Sequence, residues 1–154
     1  MTLSLRYAFT ITADLAEPRL VGLTPAGYRR IIGITGGTVA GPDLTGVVLP
    51  GGADWNVVRS DGAIHVWARY EICSADGAVI SVINEGLGRP AAAGLPGPGS
   101  TPAAAAPWSC PTRPVFEVAA AELSWLNTGF FLGELRPAGP DRVTISVHQV
   151  VAEP

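Results

Sequence analysis

Lysine is missing from the chain: all ten basic residues among its 154 are arginines. That absence excludes a Schiff-base lysine, a pyridoxal aldimine and a phosphate-loop lysine. Histidine and cysteine are scarce, two of each, and His65, His148, Cys73 and Cys110 stand singly. A structural zinc site takes about four ligands, usually in close pairs, so no metal is expected. A Cys73–Cys110 disulfide is compatible with the count, and nothing in the sequence requires it. No apolar run approaches the roughly 20 residues of a membrane helix. The first residues alternate in polarity and carry Arg6, unlike the apolar stretch of a signal peptide. These absences lead to the expectation of a soluble cytoplasmic protein with reduced thiols and no membrane partner. Charged residues make up only 15% and the net charge is −3, which leaves no electrostatic footprint for nucleic acid. There is no Gly-x-Ser-x-Gly elbow and no dinucleotide fingerprint. Gly33-Ile34-Thr35-Gly36-Gly37 lies between strand-like segments rather than before a helix, so it reads as a bend, and no cofactor is expected.

What is present is glycine (19), proline (14) and a 47% hydrophobic fraction. That combination buries a core and spends its glycine and proline on turns. The length suits one domain, residues 1–154. The dominant period is two, as a half-buried strand requires. Leu3 to Ala13, Tyr28 to Val39, Thr45 to Leu49, Asp54 to Arg59, Ile64 to Ser74, Val79 to Asn84, Val115 to Ala119, Thr128 to Arg136 and Arg142 to Val151 read as strands. Ser60-Asp61-Gly62 and Ala75-Asp76-Gly77 read as hairpin turns. Ala119 to Leu126 is the one short helix candidate. Gly88 to Thr112, rich in Pro, Ala and Gly, reads as one long loop. An antiparallel meander of nine or ten strands forms either a closed barrel or a sandwich. Closure removes exposed sheet edges, and a barrel of about eight strands can hold one small ligand.

Three segments carry candidate chemistry. Asp54-Trp55-Asn56-Val57-Val58-Arg59 holds a carboxylate, an indole and a guanidinium. Strand alternation puts Trp55, Val57 and Arg59 on one face and Asp54 on the other. In the next strand His65, Trp67, Arg69, Glu71 and Cys73 share a face, against Ile64, Val66, Ala68, Tyr70 and Ile72 on the core face. The first of these faces either meets solvent or lines a wet cavity. A metal reading of His65 and Glu71 fails because Trp67 stands where a second histidine is needed. Around the helix candidate, Phe116 and Trp125 suit a core. Glu117 sits mid-strand in an apolar stretch, where burial would raise its pKa and make it a usable acid or base. Asn127 could bind a carbonyl or cap a turn.

Gly51-Gly52-Ala53-Asp54-Trp55, Arg59-Ser60-Asp61-Gly62, Ala68-Arg69-Tyr70, Asp76-Gly77, Asn84-Glu85-Gly86, Pro114-Val115-Phe116-Glu117 and Trp125-Leu126-Asn127 occur in that order. Together they resemble the DUF3237 (UPF0311) family, from about Gly33 to Val150. The resemblance implies an all-β, antiparallel, lipocalin-like (calycin-type) β-barrel with one short helix and one long loop. Some relatives in natural-product pathways close rings without a cofactor, adding a hydroxyl across an activated alkene. The family pattern falls here on Asp54, Trp55, Arg59, Arg69, Tyr70, Asn84, Glu117, Trp125 and Asn127. The chain departs from it at Trp67, where the family usually has Asp. It departs again at Ser109-Cys110-Pro111-Thr112, and at Leu123 in place of Tyr. These changes make a pocket more apolar.

The expected function is therefore a cofactor-independent cyclase, isomerase or lyase acting on a hydrophobic, aromatic small molecule in the barrel lumen. Glu117 would be the acid or base, Arg69 and Arg59 would stabilise an oxyanion, and Asp54 or His65 would complete a proton relay. Trp55, Trp67, Tyr70, Trp125 and Asn127 would hold the substrate. The alternatives are a non-catalytic ligand-binding or carrier barrel and a structural protein with a filled core. A homodimer is compatible with each. Because the histidines and cysteines are so dispersed, EDTA should leave the melting temperature unchanged. A drop restored by a divalent metal would contradict this.

Overall fold

The structure, a computed structural model, describes residues 1–90 and 108–153. Most of the expected Gly88 to Thr112 loop therefore lies outside the described residues. Ten strands form one sheet: β1 (Thr2–Leu15), β2 (Arg19–Thr24), β3 (Gly27–Ala40), β4 (Gly46–Val48), β5 (Ala53–Val58), β6 (Ile64–Ser74), β7 (Val79–Pro90), β8 (Trp108–Val118), β9 (Phe131–Pro137) and β10 (Arg142–Glu153). Every pairing is antiparallel. The sheet closes on itself because β1 pairs with β10 along one edge and with β3 along the other. β4 and β5 follow one another between β3 and β6, so the two act as one interrupted strand. β2 continues beside β3 where β1 leaves off. The result is an all-β antiparallel barrel.

The structure departs from the sequence expectations at three places. β2 carries no core-facing period, because Leu20, Val21 and Leu23 are all exposed, so alternation gave no sign of it. β7 and β8 run past their expected ends, with Gly86 opposite Thr112 and Arg89 opposite Ser109. Both ends of the expected loop are thus strand. Pro111 and Pro114 mask this in the sequence, since proline cannot donate to a ladder and argues against a strand. The expected helix over Ala119 to Leu126 is instead a 3-10 turn at Ala121–Leu123, followed by the single-turn helix α1 (Trp125–Thr128).

The interior divides along the barrel axis. At one end Phe9, Phe116, Phe131 and Trp125 pack edge-to-face, with ring centroids 5.2–6.4 Å apart. Such aromatic pairs contribute about 0.5–1.5 kcal/mol each beyond their buried area. α1 plugs this end with Leu126, which is fully buried. At the other end the interior walls carry smaller and polar side chains, and a cavity remains.

Closure depends on close approach between β1 and β3. Gly37 lies opposite Ala13 with φ +140°. A Cβ placed there would sit 1.9 Å from the Thr12 carbonyl oxygen. Gly37→Ala should therefore destabilise the protein by roughly 2–4 kcal/mol, combining backbone strain with separation of two ladder strands. Urea unfolding of the two proteins measures it.

Candidate functional site

The cavity at the open end has a volume of about 110 Å³. A single water needs roughly 10–15 Å³ of such space, so a small organic ligand fits. Its wall is mostly aliphatic, with Ala13, Ile32, Ile34, Ile64 and Val66 among the lining residues. The mouth is framed by the turn between β9 and β10 and by Arg142, whose Nε donates to Asp14 Oδ1 at 2.7 Å.

Polar groups enter this apolar wall from four neighbouring strands. Ile32, Asp54, Ala68, Asn84 and Pro114 lie opposite one another in sequence across β3, β5, β6, β7 and β8. Asp54 and Asn84 thus flank Ala68, whose small side chain leaves the space between them open. One step along the barrel, Arg30 lies opposite Asn56. Arg30 donates to Asn56 Oδ1 from Nε at 3.2 Å and from Nη2 at 2.6 Å. Asn56 Nδ2 in turn donates to Asp54 Oδ2 at 3.1 Å. The other carboxylate oxygen, Oδ1, accepts the Trp67 backbone N–H at 2.9 Å. That bond occupies the stretch where the β5–β6 ladder skips from Asp54/Ala68 to Val57/His65. Asn56 and Val57 are both buried there, so strict alternation breaks beside the carboxylate.

Burial pushes the Asp54 pKa up, against the opposing pull of the Trp67 N–H, Asn56, Arg30 and His65. Burial likewise lowers the Arg30 guanidinium, with Asp54 opposing. It raises the Tyr70 phenol and pushes the Cys110 thiol up to about 12, with the Asp54 charge adding to the latter. Tyr70 is thus a neutral hydroxyl at physiological pH. Three buried atoms on the cavity wall have no hydrogen-bond partner among the described residues: Arg30 Nη1, Tyr70 Oη and Asn84 Oδ1. An unpartnered buried polar atom costs about 1–3 kcal/mol, more when charged, so these are the atoms that water or a ligand in the cavity would satisfy. The arrangement can accept a proton at Asp54 and hold a developing negative charge at Arg30 and Tyr70.

Of the residues singled out by sequence for chemistry or by the family pattern, Asp54, Tyr70 and Asn84 line this cavity, and the others do not. The shared lumen expected for Arg69 and Glu117 is corrected. Inward Phe116 and Val118 turn Glu117 outward, and inward Ala68 and Tyr70 turn Arg69 outward. The two residues instead border a shallow depression on the outer wall, together with Ser81 and Asn127. Arg59 is exposed and pairs with Asp61 at 2.9 Å. His65 also faces outward, its Nε2 2.9 Å from Glu85 Oε1. Trp55 and Trp67 pack edge-to-face on the outer wall, with centroids 5.6 Å apart. Trp125 belongs to the aromatic plug. Asn127 exchanges two hydrogen bonds with the Val118 backbone, N–H to Oδ1 at 2.9 Å and Nδ2 to the carbonyl at 2.8 Å. It clamps α1 to β8, and its side-chain oxygen and nitrogen are both engaged. Cys73 and Cys110 are free thiols. Arg30 and Asn56 were missed by sequence reasoning. The available signal was a second arginine inside the β-branched Tyr28 to Val39 segment.

Comparison with known proteins gives a consistent family and fold. A family described as "Protein of unknown function (DUF3237)" matches residues 3–150. A UPF0311 protein of Rhodopseudomonas palustris is 37% identical, over 97% of this chain and 98% of its own. One of Bradyrhizobium diazoefficiens is also 37% identical, with the same coverage. A crystal structure of a conserved R. palustris protein of unknown function superposes with a TM-score of 0.82 at 34% identity, covering 98% of this chain and 99% of that one. A beta-barrel like protein from Acinetobacter baumannii gives 0.84 at 27%, covering 98% of each. An enzyme from Penicillium herquei shares the fold, with a TM-score of 0.71 at 21% identity, covering 98% of this chain and 96% of that one.

The raised Asp54 pKa sets a sign for stability against pH. The native carboxyl holds its proton more tightly than the unfolded chain, whose Asp titrates at about 3.9. The contribution of this group is greatest below that value, falls as pH rises through the native pKa, and then levels off. Asp54→Asn removes the slope. The stability of wild type minus that of the variant should therefore decrease between pH 4 and pH 8, as measured by urea unfolding across that range.

Proposed function

Starting from a chain that belongs to the DUF3237 family, we propose that the protein is a cofactor-independent acid–base catalyst acting on a hydrophobic small molecule in the open half of its barrel. The observation that carries this reading is a part-buried carboxyl of raised pKa lining one cavity with a guanidinium nitrogen and a phenol that have no partner among the described residues. Carboxyls perturbed by burial beside a specific charge partner in a cavity cluster at functional sites. The same fold serves an enzyme in Penicillium herquei. No helix among the described residues is long and apolar enough to cross a membrane. We place the protein in the cytoplasm, with both thiols reduced.

The reaction class that fits is intramolecular addition of a hydroxyl to an activated alkene, or its reverse. Asp54 takes the hydroxyl proton, and the oxygen bonds to the β-carbon. The alkene electrons move onto the carbonyl oxygen, which takes over from the attacking oxygen the hydrogen bonds of Arg30 and Tyr70 as the enolate forms. Protonation at the α-carbon, with Asp54 returning its proton, completes an isomerisation without loss of atoms. Asn56 fixes the Asp54 carboxylate, and Asn84 accepts a donor from the substrate. A non-catalytic carrier is the second reading, favoured by the aliphatic wall.

The test uses 1-(2-hydroxyphenyl)but-2-en-1-one, which closes to 2-methylchroman-4-one. Wild type should accelerate closure, and Asp54→Asn should reduce that acceleration by about 100-fold or more. Ala68→Phe, which fills the space between Asp54 and Asn84, should abolish it. Binding without acceleration would support the carrier. Loss of activity in Glu117→Gln, with Asp54→Asn unaffected, would move the site to the outer depression.

A further inference from the structure

The charge balance of the lumen limits what it can bind, and this deepens the proposed reading. Arg30 supplies one positive charge and Asp54 one negative, and they are linked through Asn56 rather than in direct contact. A second anion would leave an uncompensated charge in an aliphatic wall, which is costly. A neutral ligand would leave Arg30 Nη1 with a donor that only a strong acceptor satisfies well. Both problems vanish if the ligand enters as a neutral acid and passes its proton to Asp54.

We propose that the lumen binds weakly acidic phenols or enols, with transfer of one proton from the ligand hydroxyl to Asp54, so that the ligand is held as its oxyanion by Arg30 Nη1 and Tyr70. The ligand O–H bond breaks and its electron pair stays on oxygen. The proton forms a new O–H bond at the Asp54 carboxyl, and the total charge of the lumen does not change.

A weakly acidic hydroxyl is selected over a carboxylic acid because at neutral pH it still carries the proton that the lumen requires, whereas a carboxylic acid arrives already ionised. Nε and Nη2 of Arg30 each spend one N–H on Asn56 Oδ1, which closes the fork between those two nitrogens and leaves Nη1 facing the cavity. One guanidinium nitrogen and one phenol remain. The other ionisable groups around the proton's destination do not compete for it. Tyr70 on β6 and Cys110 on β8 stay neutral, both raised by burial. Arg142 on β10 is bound to Asp14 at the mouth. His65 acts on Asp54 only from the outer wall, where its ring meets Glu85.

4-Nitrophenol tests this directly, because its phenolate and neutral forms absorb at different wavelengths. 4-Nitroanisole is the matched probe with no acidic proton, and benzoate is the carboxylate control. At a pH two units below the phenol's own pKa, where about 1% of the free probe is ionised, mixing with wild type should raise the phenolate band well above that background. The phenol should bind at least tenfold more tightly than the anisole or benzoate. Asp54→Asn, which leaves Arg30 without a counter-charge, should still show the band but release about one proton per bound ligand into a weakly buffered solution, where wild type releases none. Tyr70→Phe should weaken phenol binding about fivefold or more, with the anisole unaffected. Ala68→Phe should bind neither probe.

Several outcomes would overturn the proposal. Phenol bound in its neutral form, or equal affinity for phenol and anisole, would end the proton-transfer inference and leave a lumen that reads apolar shape. Benzoate binding as tightly as the phenol would end the choice of ligand class. A phenolate band that survives Ala68→Phe would place the binding elsewhere. Failure of both nitro probes to bind wild type would remove the lumen reading along with this one.

Discussion

Two-sided pairing of β1 is the constraint on which the rest depends. β1 hydrogen-bonds β10 over nearly its whole length and β3 over its second half. Without the second pairing the sheet would be an open, curled ribbon. Its inner face would then be exposed, and the polar groups on that face would be hydrated. Closure turns the same residues into an interior. There, water competes less for Asp54 and Arg30, and their interactions strengthen. The position that allows it has no side chain at all: Gly37, against the Thr12 carbonyl.

The two ends of the barrel divide the work. Phe9, Phe116, Phe131, Trp125 and Leu126 fill one end with large side chains and supply much of the apolar burial. The other end combines a small residue, Ala68, with buried polar atoms that have no partner among the described residues. A compact protein tolerates that second arrangement only because the first offsets it.

Much of the fold was legible in the sequence, because alternation survives wherever one face of a strand is buried. β6 is the clearest case. Ile64, Val66, Ala68, Tyr70 and Ile72 are inside, as their period indicates. What alternation cannot say is which face encloses a ligand. The charged face of β6, with Arg69 and Glu71, has the look of chemistry and meets solvent. The plain face lines the cavity. Arg30 and Asn56 were hidden for a related reason: an arginine in a strand reads as surface until the strand across from it is known to offer Asn56. β2 and the outer part of β8 were hidden by the absence of a buried face and by proline.

Asn56 holds its neighbours in a fixed order, taking two donors from Arg30 with its oxygen and giving one to Asp54 with its nitrogen. A side-chain amide has a single polarity, acceptor at one end and donor at the other, and both ends are in use. It therefore acts as an insulator as well as a link, keeping the guanidinium and the carboxylate from collapsing into a neutral pair. Replacement by aspartate would put a second anion against Arg30 and take away the donor to Asp54. Replacement by leucine would leave both ions facing an aliphatic surface. Two opposite charges can remain separately available within one small lumen because the group between them carries no charge and cannot gain or lose a proton.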